Sequence, residues 1–232
     1  MLAGDNYGVV NPDDKKDVLG KFAAYLHDFG KPLTYNPENR SFLGHDSIGA
    51  EKIQGFLDKF RFSKEETKFI QQLIKNHMRK PTTPKGARRM ITEIDGNVPY
   101  LMKIFKADSI SNLRKSPDEI KHTISIINGI NVLVDNVSKE KSDFEKIAIN
   151  GNDIMDELNV KAGPHLKVML EYAKDLVLED PKLNNRDVLI QKVNERFFST
   201  KDSSNFFKYI KSHKNIVKQL HPIEYMKVLY EK

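Results

Sequence analysis

Side chains able to hold a metal recur through the first half of the sequence. The adjacent pair His27-Asp28 lies in the run LHDFGKP, followed by His45, His77 and, in KADS, Asp108. Imidazole nitrogens combined with carboxylate oxygens suit borderline and hard divalent cations, and such cations activate water beside a phosphate. Each residue taken singly has a plainer reading. A lone histidine on an apolar face is more often a hydrogen-bonded core residue than a ligand, and one His-Asp dipeptide carries almost no information.

The elements that must position these residues change that balance. Leu19, Phe22, Ala23 and Leu26 step by three and four residues into His27, and Phe29-Gly30 ends that helix. His45-Asp46-Ser47 opens a second helix through Ile48, Ile53, Phe56, Leu57 and Phe60. Ser63 and Glu66 form a capping box before a third, in which Phe69, Ile70, Leu73 and Ile74 lead to His77 on the apolar stripe. Pro81 and Pro84 end that helix, and Lys85 to Arg89 open the next. After Asp95-Gly96, one stripe holds Leu101, Ile104, Phe105 and Asp108. His27, Asp28, His77 and Asp108 thus fall at the inner ends of separate stripes. Burying them unpaired would cost about 1–3 kcal/mol each, which a shared divalent cation would offset.

Ser116-Pro117-Asp118-Glu119 is a helix start, with a serine cap, proline at the first helical position and acids in the first turn; this helix should run to about Val137. The charged stretch 138–143 then separates two expected modules, residues 1–137 and 144–232. In the second, Asn150-Gly151 turns the chain and Asp153 caps a short helix through Met155 and Leu158. Gly163-Pro164 resets into a helix carrying Val168, Met169, Tyr172, Ala173 and Val177, and Asn184-Asn185 precede one with Val188, Leu189, Val193 and Phe197. Phe197, Phe198, Phe206 and Phe207 read as core or interface. No segment sustains a period of two, so the expected fold class is all-α.

Cysteine is absent, which excludes disulfides, zinc thiolate sites and thiol nucleophiles. No run approaches the roughly 20 apolar residues of a membrane span, and the N-terminus lacks a basic region followed by an apolar one. The expectation is a cytoplasmic protein without membrane association. Lysine and arginine number 38 against 32 acids, and the pI is near 9.2. That balance is compatible with a polyanion such as RNA and equally with a basic protein that binds none. Arg79, Lys80, Lys85, Arg88 and Arg89 form a run with no acid in it, readable as phosphate-backbone contacts or as a solvated face. Lys31, after a glycine that permits close approach, could neutralise a phosphate oxygen or be an ordinary loop lysine.

LHDFGKP, FLGHDSIGAEKI, NHM and AD together resemble the HD superfamily of metal-dependent phosphohydrolases, and specifically the HD region of bacterial tRNA nucleotidyltransferases and poly(A) polymerases. The segment from Ile147 to Val193 is similar to the helical part that follows in those enzymes and helps hold tRNA. The resemblance implies an HD-domain helical bundle followed by a smaller helical module. It implies His27, Asp28 and Asp108 as core ligands of a divalent ion (nickel, manganese, magnesium, cobalt, iron or zinc), with His45 and His77 holding a second ion or facing the scissile phosphate. Asp28, Lys31, His45 and His77 would be the catalytic residues. The implied activity is hydrolysis of nucleotides or RNA ends, of the 2',3'-cyclic phosphodiesterase or phosphatase type. A second implied reading is an RNA-binding module, for RNA such as tRNA, partnered by a separate nucleotidyltransferase subunit. Two departures stand out. The nucleotidyltransferase head of those enzymes has no counterpart here, so this chain alone is not expected to add CCA, and a fragment of a longer enzyme is a third reading. The superfamily's first histidine, one helix upstream of the HD pair, is also missing, since residues 1–26 contain none; Asp5, Asn6 or Asp13 are the candidate oxygen substitutes.

Overall fold

Helix α1 (Lys15–Leu26) begins where the Asp14 carboxylate accepts the Lys16 amide, and it buries Leu19, Gly20, Ala23 and Ala24 before delivering His27 as its C-cap. The computed structural model describes residues 2–94, 96–113 and 115–198; Phe206, Phe207 and the final stretch Lys201–Lys232 lie outside the described residues. Within these, the secondary structure is helical, with one isolated antiparallel bridge, Asn36 to Ser41, and no strand. The all-α expectation is met. The chain divides into two compact units between Ser138 and Lys139.

In the first unit, α1 is followed by the single turn α2 (Lys31–Thr34), then α3 (His45–Lys52), α4 (Gln54–Lys59), α5 (Lys64–Asn76), α6 (Pro84–Ile94), α7 (Val98–Ser111) and α8 (Pro117–Ser138). The core lies where α1 packs on α5 and α7, with α3 against α5 and α6 against α8. Ala23, Ile70, Leu73, Ile74, Leu101, Ile104 and Phe105 are fully buried there. Ser63 and Glu66 close the expected capping box on α5, and Ser116 and Glu119 exchange the same two bonds before α8.

One expected helix is two. The chain turns at Ile53, whose amide closes on Gly49, so that Ile53 and Leu57 enter the core while Ile48 and Phe60 remain exposed. A 3-10 turn at Ala3–Asn6, absent from the sequence reading, packs on α7 and α1. Behind it Asp17, buried on α1, takes Lys103 Nζ of α7 on both oxygens at 2.6 and 2.7 Å, with the Tyr7 ring under the same ammonium. That ion pair ties together the two helices whose ends carry His27 and Asp108.

The second unit contains α9 (Lys141–Phe144), α10 (Gly151–Leu158), α11 (His165–Glu179), a 3-10 turn and α12 (Arg186–Phe197) around Ile154, Met169, Ala173, Val177, Leu189 and Val193. The cap of α10 is Asn150, not Asp153: the asparagine side chain reaches two amides, and Asp153 sits a turn further on and accepts from the Asn150 amide. Asn184 accepts from Ala148 N–H and donates to the Asp143 and Lys146 carbonyls, holding α9 and its following loop in place.

Candidate metal centre

Three histidines reach one point from three elements: His27 from the end of α1, His45 from the start of α3, and His77 from the end of α5. In each, ring Nδ1 lies within hydrogen-bond distance of the carbonyl three residues earlier: Ala24 at 2.8 Å, Phe42 at 2.8 Å and Ile74 at 2.6 Å. A carbonyl can only accept, so each Nδ1 carries a proton and each ring turns Nε2 inward, where it offers a lone pair whenever the ring is neutral. The helix-end and loop geometry thus sets the tautomer.

Those inward atoms converge on two carboxylates. His27 Nε2 is 3.3 Å from Asp28 Oδ2 and 3.4 Å from Asp108 Oδ1, at the far end of α7. His45 Nε2 and His77 Nε2 approach Asp28 Oδ1 at 3.4 and 3.7 Å. His27, Asp28 and His77 offer ligand atoms all within 4.8 Å of one another. The sequence-expected set of five is therefore brought to one place.

The residues present fit a cation on two independent grounds. His27 Nε2 is buried and has no hydrogen-bond partner. His45 Nε2 and His77 Nε2 face each other at 3.1 Å, where two lone pairs repel unless a proton or a cation lies between them. Burial chiefly pushes the His77 imidazole down to about 4, which keeps it a neutral donor near pH 7. Burial also disfavours a charge on His27, but the Asp108 and Asp28 carboxylates overcome it and raise that ring to about 9. Against the same burial penalty, His27 and Lys31 hold Asp28 well below the usual carboxylate range, and His27 first lowers Asp108. The cluster joins two carboxylates to three imidazoles, a nitrogen and oxygen donor set suited to a divalent ion that takes the place of the proton on His27.

Backbone proximity fixes the arrangement. A Cβ on Gly30 would stand 2.0 Å from the His45 carbonyl oxygen and 2.8 Å from the Gly49 amide, so only glycine lets the turn after Asp28 lie directly on α3. Lys31 then places its ammonium 2.6 Å from Asp28 Oδ2 and over the Phe42 ring. It stands on the wall of a cavity of about 570 Å³ that the four cluster residues other than His27 share with Phe42, Leu43 and Met78. Sequence reasoning missed Leu43 and Met78, although each is a near neighbour of a ligand in the chain.

The basic run is near the cluster only through Lys80, whose charge reaches Asp108. None of Arg79, Lys80, Lys85, Arg88 or Arg89 lines the cavity. Arg79 pairs with Glu93, and Lys80 is half-buried over the Phe105 ring, where burial lowers its pKa. Of the candidate oxygen substitutes for the missing histidine, Asp5 is engaged by the Tyr25 hydroxyl at 2.6 Å, Asn6 donates to Ser111 Oγ at 2.8 Å, and Asp13 is exposed.

Comparison with known proteins agrees with this geometry. Residues 2–113 match the HD domain family. The chain is 28% identical over 159 residues to the A-adding tRNA nucleotidyltransferase of Deinococcus radiodurans, covering 66% of this chain and 36% of that enzyme. It is 36% identical over 96 residues to the CC-adding tRNA nucleotidyltransferase of Thermus thermophilus, covering 39% of this chain and 22% of that one. The chain thus spans about a third or less of the curated relatives it matches. The longer alignment exceeds either compact unit, so it includes residues of both. No solved structure gave a match. No helix among the described residues is long and apolar enough to cross a membrane. The HD-domain match and the converging His-Asp cluster thus fall in the same stretch of the first unit, which carries a candidate metal-coordinating group.

Proposed function

We propose that the chain is a metal-dependent phosphohydrolase acting on nucleotides or RNA ends, of the 2',3'-cyclic phosphodiesterase or phosphatase type. The observation that carries this reading is the convergence of the Nε2 atoms of His27, His45 and His77 on Asp28 and Asp108 beside one cavity. A divalent cation held there supplies Lewis acidity toward water and offsets phosphate charge. The protein's own part is positioning. Carbonyls of Ala24, Phe42 and Ile74 fix the ring tautomers, and Asp28 and Asp108 set the charge that the cation neutralises. The Lys31 ammonium, on the cavity wall beside Asp28, meets a phosphate oxygen and spreads its charge. His77, neutral at physiological pH, serves as a ligand and not as a proton donor.

The test is hydrolysis of 2',3'-cyclic nucleotides and nucleoside monophosphates by the purified full chain with nickel, manganese, magnesium or cobalt. Activity should require the cation and vanish in His27→Ala and Asp28→Ala. Equal rates in wild type and Asp28→Ala would overturn the reading.

A second reading, an RNA-binding module serving a separate nucleotidyltransferase subunit, is favoured by one observation: the alignment to a tRNA nucleotidyltransferase that includes residues of both units. It requires tRNA binding that survives chelation and weakens with salt along a log-log slope set by several phosphate contacts. Absence of tRNA binding at low salt would count against it.

A further inference from the structure

The cavity is larger and more apolar than a phosphate needs. About 570 Å³ lies within the span of roughly 300–1,000 Å³ that takes whole small molecules. Two of its wall residues are large, apolar and open to water: Leu43 is 90% exposed and Met78 is 56% exposed. Scattered exposed hydrophobes need no explanation, but these two share the lining of one cavity with the metal cluster. Leu43 precedes His45 by two residues and Met78 follows His77 by one, so the ligands that hold the phosphate end also fix the position of the apolar walls. Phe42 is already engaged, stacked near Tyr35 and under the Lys31 ammonium. At 90% exposure Leu43 packs on little of the protein, and that exposure is relieved by whatever is esterified to the phosphate.

Building on the phosphoester reading above, we infer that Leu43 and Met78 are specificity-determining residues that grip the nucleoside part of a nucleoside phosphate. A flat base offers both faces to a leucine side chain and to a polarizable thioether, which favours aromatic contact. A sugar phosphate would leave these walls wet. Asp46, Ser41 and Asn112 on the same cavity supply polar atoms at the edge, as ribose hydroxyls and base edges require. The grip serves a free nucleotide and the terminal nucleoside of an RNA alike, because both present the same base beside the same phosphate.

The experiment is calorimetric titration of the manganese-loaded full chain with AMP, ribose 5-phosphate and inorganic phosphate, with released phosphate assayed in the same samples. AMP should bind at least about tenfold more tightly than ribose 5-phosphate, the gain expected from covering one large apolar side chain. In Leu43→Ser, and further in Leu43→Ser with Met78→Ser, that preference should shrink to within about threefold. Leu43 is so exposed that its replacement leaves the fold intact, and the far-UV spectrum checks this. A trinucleotide ending in a 3'-phosphate that shows the same dependence on Leu43 extends the grip to RNA ends. Equal affinity for AMP and ribose 5-phosphate in wild type, or a preference that survives Leu43→Ser, would overturn the inference while leaving phosphoester hydrolysis standing. Failure of all three probes to bind with manganese present would overturn the phosphoester reading and this one with it.

Discussion

Replacing Gly30 by alanine should open the metal cluster from a position that touches no ligand side chain. The added Cβ would lie 2.0 Å from the His45 carbonyl oxygen, and ordinary contact begins at 3.4 Å, so α3 must retreat by about 1.4 Å. The neighbours met are backbone atoms, which cannot rotate away, and an insertion of this kind costs about 1–3 kcal/mol of stability. The retreat draws His45 from His77 and Asp28, now 3.1 and 3.4 Å away, toward distances no single ion can bridge. Loss of such support typically weakens metal affinity about 10–100-fold. Calorimetric titration of manganese into the metal-stripped full chain measures this, with urea unfolding alongside. Gly55→Ala is the control, since nothing stands within 4 Å of its added methyl. A folded Gly30→Ala that binds manganese as tightly as Gly55→Ala would refute the reasoning.

Three further substitutions test the scaffold, each by denaturant unfolding. Ser63→Ala removes the cap of α5, the helix that ends at His77, and should cost about 1 kcal/mol; no loss would show that the box is ornamental. Gly129→Ala, on an exposed position of α8 with open space around it, should stabilise by about 0.5–1 kcal/mol, and destabilisation would contradict the placement. Asp17→Asn breaks the tie between α1 and α7; because Lys103 is 38% exposed, about 1–3 kcal/mol is expected in place of the full cost of a buried pair. Burial opposes the Asp17 charge, but Lys103 holds its carboxyl below the ordinary value, so its stabilisation is present above the unfolded-state pKa of about 3.9 and is lost as pH falls through the lower folded value. Wild type should therefore lose this increment on acidification while Asp17→Asn has none to lose, and identical pH profiles would contradict the assignment.

Helical phasing located His77 and Asp108 correctly because both end long apolar stripes, and their stripes are what pack. The Ser63 box and the start at Ser116 were legible for the same local reason. The break at Ile53 was not, because it turns Ile53 and Leu57 into the core by tertiary packing that no periodicity encodes. Asn150 displaced Asp153 as a cap because either residue type can cap, and the bond to the amides decides. The basic run read as one patch in the sequence, yet pairing with Glu93 and packing on Phe105 divide it between separate surroundings. The sequence leaves Lys31 open between phosphate and solvent; its ion pair with Asp28 appears only once the Gly30 turn is folded. Leu43 and Met78 carry no pattern of their own and emerge only from the shape of the cavity.

The account rests on one cation held among His27, Asp28, His45, His77 and Asp108. Anomalous diffraction at the manganese edge, from crystals grown with manganese and no chelator, addresses it directly. The account predicts a strong peak bounded by the Asp28 and Asp108 carboxylates and the Nε2 atoms of His27, His45 and His77, absent in Asp28→Ala. No peak, with these groups satisfied by hydrogen bonds to one another and to protein atoms, would contradict it.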